Sequence, residues 1–257
     1  MIHPLLPKLR QLKLSGMALT LDTRATQAAQ GQLAPSEFLA LLLDDELERR
    51  DQCRLARRFQ ESGCDEHKTL VAFDFAAAPG VQRTLIQDLA TCGFVARHEN
   101  ILICGPTGVG KSHLANGIAC AALKQEYHVL SRSTHRLLAD LQAARATGAY
   151  QRLWARVLGC DLLLLDDFGL QPLTSQAVQD LYEIISERYE RRSVIVTSNR
   201  AFEEWADVFN DALLASAALD RLTHHAHTLT IRGDSYRQTS RRKEDPGNVS
   251  ALPAQLP

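Results

Sequence analysis

No run of about 18 or more apolar residues occurs in the 257 residues, so no membrane-spanning helix is expected. The segment Met1-Ile-His-Pro-Leu-Leu-Pro has no charged stretch followed by an apolar core, and no secretory leader is expected either. Cysteine is sparse. Cys53, Cys64, Cys92, Cys104, Cys120 and Cys160 are scattered without a CxxC pair, which reads as reduced structural thiols in a cytoplasmic protein. The formal net charge is −1, which argues against a uniformly basic nucleic-acid binder and leaves a local basic surface open. Aromatic residues make up 6%. The arginine sets described below show no evident aromatic interleaving, which argues against a stacking platform for single strands. No internal repeat is visible.

What is present is a phosphate-binding signature. Residues 105 to 112 read Gly-Pro-Thr-Gly-Val-Gly-Lys-Ser, a full match to GxxxxGK[ST]. Gly105, Gly108 and Gly110 permit backbone conformations that a Cβ resists, so that N–H groups can curl round phosphates. Pro106, Thr107 and Val109 complete the loop. Lys111 offers a charge to the β and γ phosphates, and Ser112 a hydroxyl to Mg²⁺. The Ala-rich run from His113 to Leu123 predicts a helix whose N-terminus faces the anion. Asn100-Ile-Leu-Ile-Cys104 upstream is a short apolar run of buried-strand type. Strand, glycine loop and helix is the context the motif requires.

The chain divides by pattern. Residues 1–67 read as a small all-α N-terminal domain. Leu5, Leu9, Leu12, Met17 and Leu21 can line one face, Gly16 is a break, and Ser36 is the N-cap of a helix running to about Gln60. Cys64 to Asp74 reads as a linker. Residues 68–240 alternate β and α. Strands are expected at Asn100–Cys104, Tyr127–Ser131, Leu162–Asp166, Ser193–Ser198 and His227–Ile231, with helices over 112–125, 134–157, 174–191 and 202–225. These short unalternating strands suit a five-stranded parallel sheet between helices, an α/β fold. Thr174 is a cap, with Val178, Leu181, Ile184, Ile185 and Tyr189 as the buried stripe. The tail from 241 to 257 is expected to be disordered.

Leu162-Leu-Leu-Leu165 ends in Asp166-Asp167. A buried strand that delivers carboxylates at its C-terminal end is what a Mg-nucleotide site needs. Asp166 is expected in the Mg²⁺ shell, and Asp167 to polarise the attacking water. The strand Ser193–Ser198 ends in Asn199, a candidate to read the γ-phosphate. Arg221, in Asp220-Arg-Leu, and Arg237, in Ser235-Tyr-Arg, are candidates to stabilise phosphoryl transfer in cis or from a neighbouring subunit. Two basic sets are candidates for DNA phosphates. One is Arg50, Arg54, Arg57 and Arg58, which can equally be a solvated helix face. The other is Arg132, Arg136, Arg145, Arg152 and Arg156. His224, His225 and His227 lack an acid or cysteine spacing that would support a metal. Trp154 and Trp205 read as packing residues.

Taken in order, these motifs resemble an AAA+ ATPase of the IstB-like transposition helpers, in the same clade as the helicase loader DnaC. The shared wording is Leu14-Ser-Gly-Met17, Phe73-Asp-Phe75, Gly110-Lys-Ser-His-Leu114, Asp166-Asp-Phe-Gly169, Thr197-Ser-Asn-Arg200 and Ser235-Tyr-Arg237, spread over residues 1 to about 240. The resemblance implies that Gly105 to Ser112 are Walker A and, with His113, contact ATP. It implies that Asp166 and Asp167 are Walker B, Asn199 sensor 1, Arg221 the arginine finger and Arg237 sensor 2. Most AAA+ proteins carry Glu where Asp167 stands, which implies slow hydrolysis. It further implies an ATP-dependent homo-oligomer sharing its site between subunits. Such an assembly would bind double-stranded DNA and work with a transposase in target selection and strand transfer. A DnaC-like helicase loader is the alternative. A small-molecule kinase would need an acceptor site and a lid, and neither is found.

Overall fold

The computed structural model describes residues 4–233, 235 and 236. Arg237 and the tail from 241 to 257 lie outside the described residues. The chain forms two compact units, Met1–Gln60 and Glu61–Pro257. This division lies at 60/61, and the expected boundary at 67/68.

In the first unit α1 (Leu6–Gln11) and α2 (Ser15–Gly31) precede α3 (Pro35–Ser62). Met17, Leu21 and Leu42 form its small core, with Leu6, Leu9, Leu14 and Phe38 against it. Leu5 and Leu12, expected on that face, are exposed. Gly16 does not break a helix. It sits in the first turn of α2, where a Cβ would stand 2.6 Å from Asp45 O and Glu46 Cα of α3. The two backbones approach so closely that the buried Glu46 carboxylate accepts from Gly16 N (2.7 Å) and Met17 N (3.3 Å). An acid at a helix N-terminus satisfies amides that have no partner inside the helix. Arg24 grips Asp45 across the same pair of helices, Nε to Oδ2 at 2.8 Å and Nη2 to Oδ1 at 2.6 Å. At the start of α3 the cap differs from expectation. Ser36 lies inside the helix, and Glu37 Oε2 accepts from Ala34 N at 2.8 Å.

Residues 64–74 lie near the start of the second unit. Expected as a linker, they are instead fastened to α6 (Lys111–Lys124). Asn116 accepts from Asp65 N (3.0 Å) and donates to the carbonyls of Asp65 (2.7 Å) and Lys68 (3.0 Å). Two short helices, α4 (Arg83–Ala90) and α5 (Gly93–Ala96), lead to β1 (Asn100–Cys104). After α6 come β2 (Val129–Ser133), α7 (Thr134–Thr147), α8 (Tyr150–Gly159) and β3 (Leu162–Phe168). Then follow α9 (Ser175–Arg188), β4 (Ser193–Ser198), α10 (Ala212–Thr223) and β5 (Ala226–Thr230). The strands form one parallel sheet ordered β2-β3-β4-β1-β5. β1, β4 and the leucines of β3 are buried, as continuous apolar strands covered on both faces must be.

The expected helix 134–157 is two helices because Gly148, at φ 72°, ends α7 by returning its N–H to a last-turn carbonyl. The expected helix 202–225 is helical only over α10. Before it, two 3₁₀ turns wrap the fully buried Trp205, whose ring lies tilted against Phe168 at 4.7 Å and Phe202 at 5.1 Å. Thr174 caps α9, its Oγ1 accepting from Ala177 N at 3.3 Å. All six cysteines are free thiols. Burial pushes Cys92 and Cys104 up to about 11, which suits packing rather than reactivity. Among the described residues no helix is long and apolar enough to cross a membrane. The acid missing from the histidine cluster comes from the turn after α9. One carboxylate oxygen of exposed Glu190 and one ring nitrogen each of His224 and His225 lie within 4.8 Å of one another.

Candidate functional site

β1, β3 and β4 point their C-terminal ends at one place, and β1 lies next to β4, which lies next to β3. The loop leaving β1 therefore faces the acids ending β3 and the polar end of β4. A cavity of about 500 Å³ opens there. Loop residues Thr107 to His113 line it, with Asp166, Asp167 and Asn199 opposite.

The loop geometry divides the glycines by purpose. Gly108 (φ 88°) and Gly110 (φ 98°) hold left-handed backbone beside the cavity. Gly105 does not line it; a Cβ there would stand 2.2 Å from Ile231 O, at the end of β5. Pro106 does not line it either, and its carbonyl accepts from Lys111 Nζ at 2.7 Å. No side chain caps α6, and the positive end of its dipole favours an anion there. The Lys111 side chain is nearly buried at the same mouth.

Asp166 is the hub of the acidic side. Its Oδ1 accepts from Ser112 Oγ at 2.8 Å and from the hydroxyl of Thr197. Asp167 N donates to that same Thr197 Oγ1 at 3.0 Å. Asp167 itself has φ 56°. Aspartate tolerates the left-handed region better than most side chains, which gives a local reason for the shorter acid here. Neighbouring hydroxyl and carboxylate oxygens, a lysine and a helix N-terminus fit a nucleoside triphosphate with a hard cation.

Phe73 and Tyr236, which also line the cavity, had no site role in the sequence reading. Phe73 packs its ring edge-on to His113 at 5.5 Å and close over Gly110. His113 spends a ring nitrogen on Thr69 O at 2.9 Å, so its side chain steadies the 64–74 segment. Tyr236 N donates to Gly108 O at 3.0 Å, which brings the Ser235-Tyr236 pair against the loop. The strings Phe73-Asp-Phe and Ser235-Tyr carried family wording, and no spacing rule assigned them to the cavity.

The sequence matches the IstB-like ATP-binding protein family over residues 7–244. The chain belongs to that family. It is 36% identical over 242 residues to the protein assigned as the ATP-binding protein of insertion sequence IS21 in Pseudomonas aeruginosa, covering 94% of this chain and 91% of that one. Its fold is similar to AMPPCP-bound DnaA from Aquifex aeolicus, with TM-score 0.58 and 20% identity over 74% of this chain and 58% of that one. It is also similar to the DnaC helicase loader, with TM-score 0.51 and 21% identity over 58% of this chain and 87% of that one. These likenesses show the AAA+ fold.

Within this IstB-like chain the remaining candidates separate. Arg221 is not at the cavity. It lies on α10, donates to Ala217 O at 2.8 Å and sits 5.6 Å over the Tyr182 ring. Arg50 donates to Glu46 Oε1 at 2.8 Å, and Arg54 pairs with Asp51. Arg57 and Arg58 follow on the same helix. Arg145 is tied to a neighbouring helix. It forms a two-pronged pair with Asp180, which is 1% exposed, and lies 4.3 Å over the Tyr150 ring. Tyr150 in turn stacks on Trp154, so the aromatics do interleave this set, but they serve packing. Arg136 and Arg152 are exposed. Arg156 is exposed and donates to Glu61 O. Arg132 is half-buried, donates to Ser131 O (2.7 Å) and Ser62 O (3.3 Å), and has its pKa lowered by burial and then by Arg156. With Arg136 it lines a second cavity of about 560 Å³ that shares Ser112 and Asp166 with the first.

Proposed function

We propose that the protein is an ATP-hydrolysing helper of insertion-sequence transposition that assembles on duplex DNA and works with a transposase in target selection and strand transfer. The observation that carries this is the meeting of the Lys111–Ser112 loop with Asp166, Asp167 and Asn199 in a member of the IstB-like family. The relative named above is described as an insertion-sequence ATP-binding protein.

In this reading Lys111 swings from Pro106 O to the phosphates, while Ser112 and Asp166 would hold Mg²⁺. The ion would neutralise phosphate charge during transfer. A water oxygen bonds to the γ-phosphorus as the bond to the bridging oxygen breaks. The water proton passes to Asp167, Asn199 orients the γ-phosphate, and ADP and phosphate leave. Phe73, beside the loop, supplies an apolar wall for the base. Arg221 lies away from its own cavity and acts on a neighbour's nucleotide, which makes ATP a joint between subunits. Arg237 is assigned to the γ-phosphate by motif alone. The first unit and the Arg132–Arg136 surface contact DNA phosphates or partners. A DnaC-like loader has only fold likeness in its favour.

The test has two parts. Arg221→Ala should abolish assembly-stimulated hydrolysis, and mixing it with Lys111→Ala subunits should restore part of it, because one mixed interface carries both intact halves. Normal hydrolysis by Arg221→Ala at every protein concentration would refute the shared site. Duplex binding read by fluorescence anisotropy should require ATP or a non-hydrolysable analogue. Binding that ignores the nucleotide, or prefers single strands, would turn the assignment toward a loader.

A further inference from the structure

β3 and β4 pair regularly as far as Leu165↔Val196, then shift so that Phe168 meets Ser198. Two residues, Asp166 and Asp167, thus stand opposite one residue, Thr197. This is the two-against-one count of a β-bulge, a device that re-aims side chains at the end of a strand. Thr197 is fully buried. Its hydroxyl donates to Asp166 Oδ1 and accepts from Asp167 N at 3.0 Å. Ser112 Oγ reaches the same Oδ1 at 2.8 Å from the other side.

A hydroxyl has one proton to give and lone pairs to receive with. Thr197 uses both, one on each acid. The donated hydrogen bond turns the Asp166 carboxylate toward Ser112. The accepted one satisfies the Asp167 amide in its left-handed conformation, which costs energy and persists only where its surroundings hold it. Threonine is also β-branched and suits the strand, but valine would suit it as well and could make neither bond.

We infer that Thr197 is a positioning residue for the Mg-nucleotide centre. It fixes the cation-holding carboxylate and the water-polarising carboxylate relative to each other through one hydroxyl. This rests on the assignment of Mg-ATP hydrolysis above. It adds that β4 acts on the chemistry through Thr197 as well as through Asn199. Groups that orient metal ligands from behind are worth about 10–100-fold in metal affinity or activity.

The experiment titrates Mn²⁺ by electron paramagnetic resonance into the protein carrying a non-hydrolysable ATP analogue, alongside nucleotide affinity in EDTA and steady-state hydrolysis. Thr197→Val should bind nucleotide in EDTA as the wild type does. Its Mn²⁺ affinity should fall about 10–100-fold and its kcat by a similar factor. Thr197→Ser, which keeps the hydroxyl, should restore both, and Thr197→Cys, a weak donor, should lie between. If Thr197→Val is too unstable to titrate, the order Ser above Cys carries the test. Unchanged Mn²⁺ affinity in Thr197→Val, or equal values for Ser and Cys, would overturn the inference. So would an equal loss of nucleotide affinity with and without metal, which marks a merely structural role. If the wild type does not hydrolyse ATP at all, the hydrolysis assignment falls, while the Mn²⁺ titration still decides the role of Thr197.

Discussion

The two ends of the parallel sheet handle buried polar groups in opposite ways. At the N-terminal end they are tied to one another. Arg188 is 1% exposed and donates to the carbonyls of Val157 (2.9 Å), Cys160 (2.9 Å), Asp161 (3.3 Å) and Ser193 (2.7 Å). Asn100 donates to Leu222 O at 3.1 Å and accepts from Val194 N at 2.9 Å. Asp161 accepts from His128 N (2.9 Å) and Arg192 (2.7 Å). At the C-terminal end Lys111, Ser112, Asp166, Asp167 and Asn199 surround a cavity. The first end uses polar residues to join strands whose backbone groups would otherwise lack partners. The second points them at space that a ligand can fill. Burial of a charge therefore says little about function here; what counts is whether the group also lines a cavity.

Asp167→Asn should separate the ends most sharply. It keeps the tolerance for φ 56° and removes the proton acceptor. Loss of a positioned base should lower kcat by about 10²–10⁴-fold, while the thermal midpoint stays close to that of the wild type. A comparable loss of stability would show that the acid is structural. Arg188→Met is the mirror image. Four carbonyls would each lose the guanidinium as a donor, three of those contacts buried, at a cost of about 3–5 kcal/mol. The melting temperature should drop by roughly 10 °C, with nucleotide affinity of the folded fraction unchanged at a temperature well below the melt.

A contrast between two arginines comes next. Arg145→Ala leaves the buried Asp180 without its pair and should cost about 3 kcal/mol in chemical denaturation, with no change in the salt slope of DNA binding. Arg136→Ala should leave stability intact and reduce that slope by about 1. The reverse pattern would return Arg145 to the DNA surface. The smallest effect concerns pH at the N-terminal end. Arg97, and then His227, hold Glu99 down from 4.5 to about 2. A depressed carboxylate contributes stability that is complete above its unfolded pKa and is lost as pH falls through its folded one. The wild type should therefore lose stability between about pH 4.5 and 2, and Glu99→Gln should lose less over that window. The difference should be under about 1 kcal/mol because Arg97 is exposed. Equal slopes for the two proteins in acid melts would refute it.

The strand–loop–helix at 100–124 was legible because phosphate binding imposes local requirements, with glycines, lysine and hydroxyl at set offsets beside an apolar strand. The Asp-Asp strand was legible for the same reason. Errors arose where the deciding contact is distant in sequence. Tyr127 and His128 read as strand, but His128 N is held by the Asp161 carboxylate in the turn before β3. Gly16 read as a break because its function, contact with Glu46, depends on a helix thirty residues away. The pairing of Arg145 with Asp180 was hidden for the same reason, since Asp180 lies on another helix.

The sequence by itself determined which chemistry is available: a phosphate loop, two acids, an asparagine and several arginines, all in the order of an IstB-like AAA+ protein. Those features are local, and their spacing expresses them directly. Only the tertiary structure decided that β4 lies between β1 and β3, and that a bulge sets Thr197 against both acids. It alone decided that Arg221 lies away from its own cavity while Arg145 is spent on a buried pair. Strand order, register and side-chain partnership depend on packing between segments far apart in the chain, which no local spacing records.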